Sequence, residues 1–251
     1  MPQWPRAHRS DAMDSAYLAA HVEEDREHWW FRGRLAVLLA VLRARLPRRR
    51  LTLVELGCGT GNVLATLGEF GEAVGVERDD RLRAVALAAG LEVRRGALPD
   101  DVPIDPGTAD VVLLLDVLEH LEDEAASLAA ARTLLAPGGL LVLTVPAYAW
   151  LWSAHGVHLG HRRRYTRSGL GRVVAEARFV VERVTYFNTL LFPVVAGVRM
   201  ANRALRRAGH DLSRPPVRCN RALTRIFAAE RHLLARTDLP VGSSLLLIAR
   251  A

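Results

Sequence analysis

The chain has 251 residues, 50% hydrophobic and 24% charged, enough to bury a substantial core as one large domain or a domain with an attached cap. Two cysteines, Cys58 and Cys219, exclude a disulfide framework and a zinc-ribbon pattern, and no charged-then-apolar signal segment opens the chain, which points to a reducing cytoplasm. The net charge of +7 comes from arginines spread over 43–50, 160–167 and 203–209, a pattern that reads first as solvated faces, with nucleic acid or anionic lipid as alternatives.

After a polar start, residues 16–46 carry apolar positions at helical spacing, with "EHWWFRGR" (27–34) embedded, and Pro47 ends the run. Strands and helices then alternate. Strands are expected at Leu51–Leu56, Ala73–Glu77, Leu91–Arg95, Ala109–Leu115 and Leu140–Val145. Helices are expected from Asn62, over Asp80–Ala89 and over Glu122–Leu135, with "APGG" as a turn before the fifth strand. Such alternation predicts a parallel sheet with helices on both faces. Two further strand-like stretches, Arg178–Phe187 and Ser243–Arg250, would close the sheet. About fifty residues separate them, far beyond a hairpin loop, so this insertion is expected to fold as a helical cap. The expected division is a helical lid over 1–50, an α/β domain over 51–188 and 241–251, and the cap over 189–240.

"LTLVELGCGTGNVLATL" (51–67) places Gly57, Gly59 and Gly61 between the first strand and the first helix. A backbone without side chains lets a ligand approach the helix N-terminus, although a tight turn alone can also need glycine. The second strand ends in Glu77, a carboxylate placed to accept both hydroxyls of a ribose, which favours a nucleotide-like cofactor. A dinucleotide site wants GxGxxG; here the spacing is GxGxG, and Asn62 stands where the third glycine would be.

The combination of "VELGCGTGN" (54–62), "GVE" (75–77), "LLLDVLEHLED" (113–123) and "LLAPGGLLVLTVP" (134–146) resembles the class I S-adenosylmethionine-dependent methyltransferases, of the bacterial small-molecule type. That resemblance implies a Rossmann-like α/β fold, a mostly parallel seven-stranded sheet, with S-adenosyl-L-methionine as cofactor and S-adenosyl-L-homocysteine as product. It implies that Glu55, Gly57 and Gly59 line the methionine part, with Cys58, Gly61 and Asn62 completing the loop. It further implies that Glu77 holds the ribose, that Arg78 flanks the adenine, and that Asp116 lies beneath the cofactor with Val117 and His120 at the site's edge. Relatives often carry an acidic residue after the third strand; here Ala97 stands there, and a backbone contact from Ala97 or Leu98 would replace it. Leu118 and Leu121 are expected in the core, and Glu119 as a cap or ion-pair partner of the next helix.

Methyl transfer needs an aligned nucleophile and exclusion of water, with a base only where the acceptor's acidity requires one. The segment after the fifth strand, "PAYAWLWSAHGVHLGHRRRYTRSGL" (146–170), emerges at the carboxyl edge, where ligands bind in open α/β sheets. Its His155, His158 and His161, with Tyr165, are the candidate catalytic residues; a structural role for the histidines is the alternative. No acidic residue lies among them and no HExxH frame is present, so no metal is expected. Tyr148, Trp152, Arg164 and, from the N-terminal helix, Trp30 are candidate acceptor contacts. Arg34 is assigned near the cofactor carboxylate, the alternative being that this helix is merely glued to the core by its aromatics.

The insertion has an apolar face opposed by arginines and is too short to span a bilayer, so it would line a pocket, form a dimer interface or rest on anionic lipid. The expected function is O-methylation of a small, lipophilic or natural-product-like acceptor by a monomer or homodimer. The alternatives are a nucleic-acid or protein methyltransferase, or a non-catalytic relative. Against the first stands "DVLEH" in place of an Asn/Asp-Pro-Pro-aromatic signature, and selective nucleic-acid binding is not expected.

Overall fold

A computed structural model describes residues 22–152, 160–204 and 215–251. Seven strands form one sheet: β1 (Leu51–Leu56), β2 (Gly71–Glu77), β3 (Val93–Arg95), β4 (Ala109–Leu115), β5 (Leu135–Pro146), β6 (Val180–Phe187) and β7 (Ser244–Arg250), in the order β3-β2-β1-β4-β5-β7-β6. The pairs among β1 to β5 are parallel, while β7 runs antiparallel to both β5 and β6. This is the mostly parallel seven-stranded α/β sheet expected from the sequence.

Alternate side chains of the central strands feed two cores. Val111 and Leu113 of β4 face the layer of α1 (Trp29–Arg45), whose Val37, Leu38, Val41 and Leu42 are fully buried. Val112 and Leu114 face Leu128 and Leu134 of α4 (Glu124–Leu134), and Leu170 and Val174 of α5 (Arg167–Glu176) lie in the same core. Between these elements lie a single turn, α2 (Leu64–Leu67), and α3 (Asp80–Ala88). Acidic or hydroxyl side chains start α3, α4 and α5: Asp79 accepts from the Arg81 amide at 2.9 Å, Asp123 from Ala126 at 2.9 Å, and Thr166 from Gly169 at 3.1 Å. Between β6 and β7 come α6 (Phe192–Ala204), α7 (Val217–Ala229) and the short α8 (Arg231–Leu234).

Three local expectations change. The N-terminal run is interrupted: residues 22–27 are helical, and the chain extends at His28 (φ −71°, ψ 138°) before α1 begins. The buried Asn220 of α7 holds this break. Its Oδ1 accepts from the Trp29 amide at 2.9 Å and its Nδ2 donates to the Glu27 carbonyl at 2.8 Å, satisfying groups that a continuous helix would pair internally. The helix after the glycine loop shortens to α2, because the chain turns at once into β2. The "APGG" turn is drawn into β5, which pairs from Leu135 against Ala109 through a register shift. Among the described residues, no helix is long and apolar enough to cross a membrane.

Candidate functional site

Asp116, Tyr148 and Asn188 follow the carboxyl ends of β4, β5 and β6, and all three adopt positive φ, at 59°, 53° and 55°. Non-glycine residues hold this conformation only where surrounding structure enforces it, and such positions cluster at functional sites. A cavity of about 620 Å³ opens along this edge, reaching from the glycine loop and Glu77 to α6 and α7.

The loop half is built from backbone. Gly57 has φ +74°, and a Cβ there would lie 2.7 Å from Val117; Gly59 has φ +56°, and a Cβ there would meet nothing within 4 Å. The chain thus lies bare at Gly59, beside the cavity it lines. Glu77 is pinned from both oxygens, Oε2 accepting from the Gly59 amide at 2.9 Å and Oε1 from the Asp79 amide at 2.8 Å, each oxygen retaining capacity for a further donor. Arg78, Ala97 and Leu98 line the same end. Residues 22–28 close over the loop: the Thr60 hydroxyl donates to the Asp25 carboxylate, and Asn62 Nδ2 donates to the Asp25 carbonyl at 2.7 Å.

Glu55, at the floor, is fully buried and its Oε2 has no hydrogen-bond partner within the protein. Burial pushes its pKa from 4.5 up to about 8, opposed by Arg34 and reinforced by Asp25 and Glu77. Burial, with the charges of Glu55 and Glu77, also pushes the Cys58 thiol up, so this cavity-lining cysteine is held as the unreactive thiol. The bare glycine backbone, the acceptor-rich Glu77 and the orphan oxygen of Glu55 fit a nucleoside joined to an amino acid. Arg34 is ion-paired with Asp116 and lies over Trp30, 5.0 Å from the ring centroid.

In the lining of the same cavity, Glu119, His120 and His161 bring ligand-type atoms within 4.8 Å of one another. Glu119 has no exposed surface, and neither carboxylate oxygen is hydrogen-bonded; His161 Nε2 lies 3.9 Å from its Oε1, and the His120 and His161 rings meet edge to face at 4.7 Å. Burial and the Asp116 charge raise the Glu119 pKa well above the ordinary range, with Arg164 and Arg34 opposing.

The loop, Glu77, Arg78, Ala97, Leu98, Asp116, Val117, His120, His161, Trp30, Arg34 and Arg164 all line this one cavity, but several expected residues do not. Tyr165 is buried in the core below, its hydroxyl donating to Glu124 on α4. The reason is strand geometry: Tyr165 bridges Ala147 at the end of β5, so Arg164 and Tyr165 point to opposite faces, and only Arg164 reaches the cavity. Tyr148 stacks on Tyr186 at 5.2 Å, and Trp152 is likewise outside the lining. Gly61 faces Leu91 and Ala86 and serves helix packing. His155 and His158 lie outside the described residues. Asp25 and the buried Glu119 were not expected in the site. A carboxylate next to His120 was the signal for Glu119; Asp25 left none, because its partners are distant in sequence.

A family profile described as "Methyltransferase domain" matches residues 22–184. Among curated proteins, the chain is 36% identical over 107 residues to a ubiquinone biosynthesis O-methyltransferase of Cereibacter sphaeroides, covering 40% of this chain and 43% of that one. It is 35% identical over 121 residues to one of Paramagnetospirillum magneticum, covering 44% and 47%. The match thus spans about half the length of these relatives. Among solved structures, a methyltransferase of Thermotoga maritima superposes with a TM-score of 0.59 at 17% identity, over 93% of this chain and 98% of that one. Phosphoethanolamine N-methyltransferase 2 of Haemonchus contortus, solved with S-adenosyl-L-methionine, gives 0.60 at 16% identity, over 96% and 58%.

Proposed function

Because the chain belongs to the class I S-adenosylmethionine-dependent methyltransferases, we propose that it methylates an oxygen of a small, lipophilic acceptor, with His161 as the proton acceptor. One observation carries this reading: a single cavity is lined by Glu77 and the glycine loop, by the apolar Trp30, Leu191, Val195 and Leu223, and by Glu119 and His161. S-adenosylmethionine, when bound, supplies an electrophilic methyl group on a sulfonium. Gly57, Gly59, Glu55 and Glu77 would hold it. Asp25 and Thr60 close the loop side against water, which matters because exclusion of water leaves the acceptor as the only nucleophile.

A carboxylate beside an imidazole ordinarily holds the imidazolium. Here burial and the Asp116 charge raise the Glu119 pKa, which weakens the hold of that carboxyl on an imidazolium at His161 and favours the neutral ring that takes a hydroxyl proton as the oxygen attacks. The apolar wall of α6 and α7 suits a hydrocarbon or ring portion, and the relatives named for ubiquinone biosynthesis are consistent with a phenolic acceptor. Incubating the protein with labelled S-adenosylmethionine and matched phenols, carboxylic acids and amines, each with and without an apolar tail, tests the reading. Label transfer to tailed phenols is the expected result. Transfer to amines alone, or to none while nucleic acid or protein is labelled, would overturn it.

A further inference from the structure

We propose that α6 and α7 form a docking surface for an anionic lipid bilayer, at the mouth of the cavity. The surface stands on charge and exposure alone; only its use in delivering the acceptor rests on the lipophilic reading above.

The first observation is where the charge sits. Residues 189–229 contain eight arginines against one acidic residue, Asp211, a net of +7, which equals the net charge of the whole chain. The remainder of the protein is electrically balanced. Among the described residues of this stretch, Arg218, Arg221 and Arg225 of α7 are exposed. A net positive charge concentrated in one insertion, while the arginines elsewhere are balanced by acidic residues, generates a directed field toward an anionic surface.

The second observation is that α6 is inside out. On a surface helix of a water-soluble domain, charged residues face solvent and apolar residues face the protein. Here Val194, Val198 and Met200 are 58%, 51% and 62% exposed, and Pro193, Gly197 and Ala201, at successive turns, are exposed as well. Arg199 instead turns inward, its guanidinium donating to the Leu151 carbonyl at 3.0 Å. The arrangement leaves an uncharged apolar stripe in solvent on a helix of 13 residues, long enough to lie in an interface and too short to cross one. Trp150, 48% exposed and edge to face with Phe192 at the start of α6, adds an aromatic of the kind that settles at lipid headgroups.

The stripe adjoins the cavity, since Val194 and Val198 also line it. A lipophilic molecule entering there passes from bilayer to cavity without crossing water. A second copy of the chain is a poor occupant, because two faces of the same sign repel. Nucleic acid would satisfy the arginines but leave the valines in water.

The test is sedimentation of the full chain with vesicles of phosphatidylcholine alone or mixed equally with phosphatidylglycerol, without any acceptor. Binding to the mixed vesicles, weakened by salt, is expected. Arg218→Glu/Arg221→Glu/Arg225→Glu should lower partitioning at least tenfold, and Trp150→Ser/Met200→Ser should lower it severalfold even where salt has screened the charges. Both variants alter exposed side chains, and unchanged thermal unfolding confirms that they fold. Equal binding to both vesicle types, no binding to either, tighter binding to duplex DNA than to mixed vesicles, or a stable dimer that shields Trp150 from a fluorescence quencher would each overturn the proposal. Lipid binding that persists when no lipophilic acceptor is methylated would sustain the surface while refuting the acceptor reading.

Discussion

Replacing Glu55 by glutamine isolates the energetic consequence of burying a carboxyl beneath the glycine loop. In the folded chain Glu55 is 3% exposed, and its pKa rises from 4.5 to about 8 because burial disfavours the charge more than Arg34 relieves it. Between these values the unfolded chain has released a proton that the folded chain keeps. Stability therefore falls as pH rises, by up to about 1.4 kcal/mol per pH unit, and the whole loss has a ceiling of about 5 kcal/mol. Glutamine has the same shape, cannot ionise, and can accept from the Leu64 amide as the carboxyl does. Urea unfolding without cofactor, followed by circular dichroism, should give nearly equal stabilities for wild type and Glu55→Gln at about pH 5. At about pH 8.5 the variant should be the more stable by a few kcal/mol. Parallel pH dependences for the two proteins across that interval would refute the reasoning, because a carboxyl that ionises normally in the folded state contributes no such slope.

Three variants test the chemistry. Glu77→Ala removes the acceptor that also fixes the Gly59 amide, and should weaken S-adenosylmethionine binding by ~10–100-fold in isothermal titration. Gly59→Val, which sets a side chain in the open space at φ +56°, should abolish it; wild-type affinity in either variant contradicts the assignment of the loop. His161→Ala should lower turnover by ~10²–10⁴-fold with cofactor affinity retained, and flatten the rise of rate with pH. If turnover is instead lost on chelation and restored by a divalent cation, Glu119, His120 and His161 act as ligands rather than as a base and its surroundings.

The strands of this fold were legible where burial is complete on both faces. β1 and β4 begin and end at the expected residues, because their mainly apolar runs are bounded by polar or glycine positions, Arg50 and Gly57 around β1, Thr108 and Asp116 around β4. The glycine loop and Glu77 were legible for a related reason: their function depends on backbone positions fixed by the adjoining strands. Roles set by distant partners were not legible. Glu119 looked like a cap for the next helix, and becomes part of the site only because the chain returns some forty positions later with His161 beside it. The break at His28 is invisible in the helical periodicity, since what sustains it is Asn220, near the other end of the chain. Tyr165 was misplaced by one residue's worth of strand geometry, its neighbour Arg164 taking the cavity side.

The family match covers residues 22–184, which contain the glycine loop, Glu77, Asp116, Glu119 and His161. The cavity does not stop there: Leu191, Val195 and Arg199 at α6, Leu223 of α7 and Ser243 before β7 complete its wall. That wall is not a loose appendage. Phe227 of α7 packs on Gly33 of α1, where even a methyl group would collide with its ring, and Trp29 meets the same ring edge to face at 6.1 Å. Trp30 and Arg34, on that same helix, reach the cavity from the other side. The insertion thus grips the helix whose Trp30 and Arg34 line the cavity, and both walls belong to one packed unit. Under the proposed function, residues 22–184 hold and activate the methyl group, and the molecule that receives it is shaped jointly by Trp30 from that stretch and by Leu191, Val195 and Leu223 from beyond it.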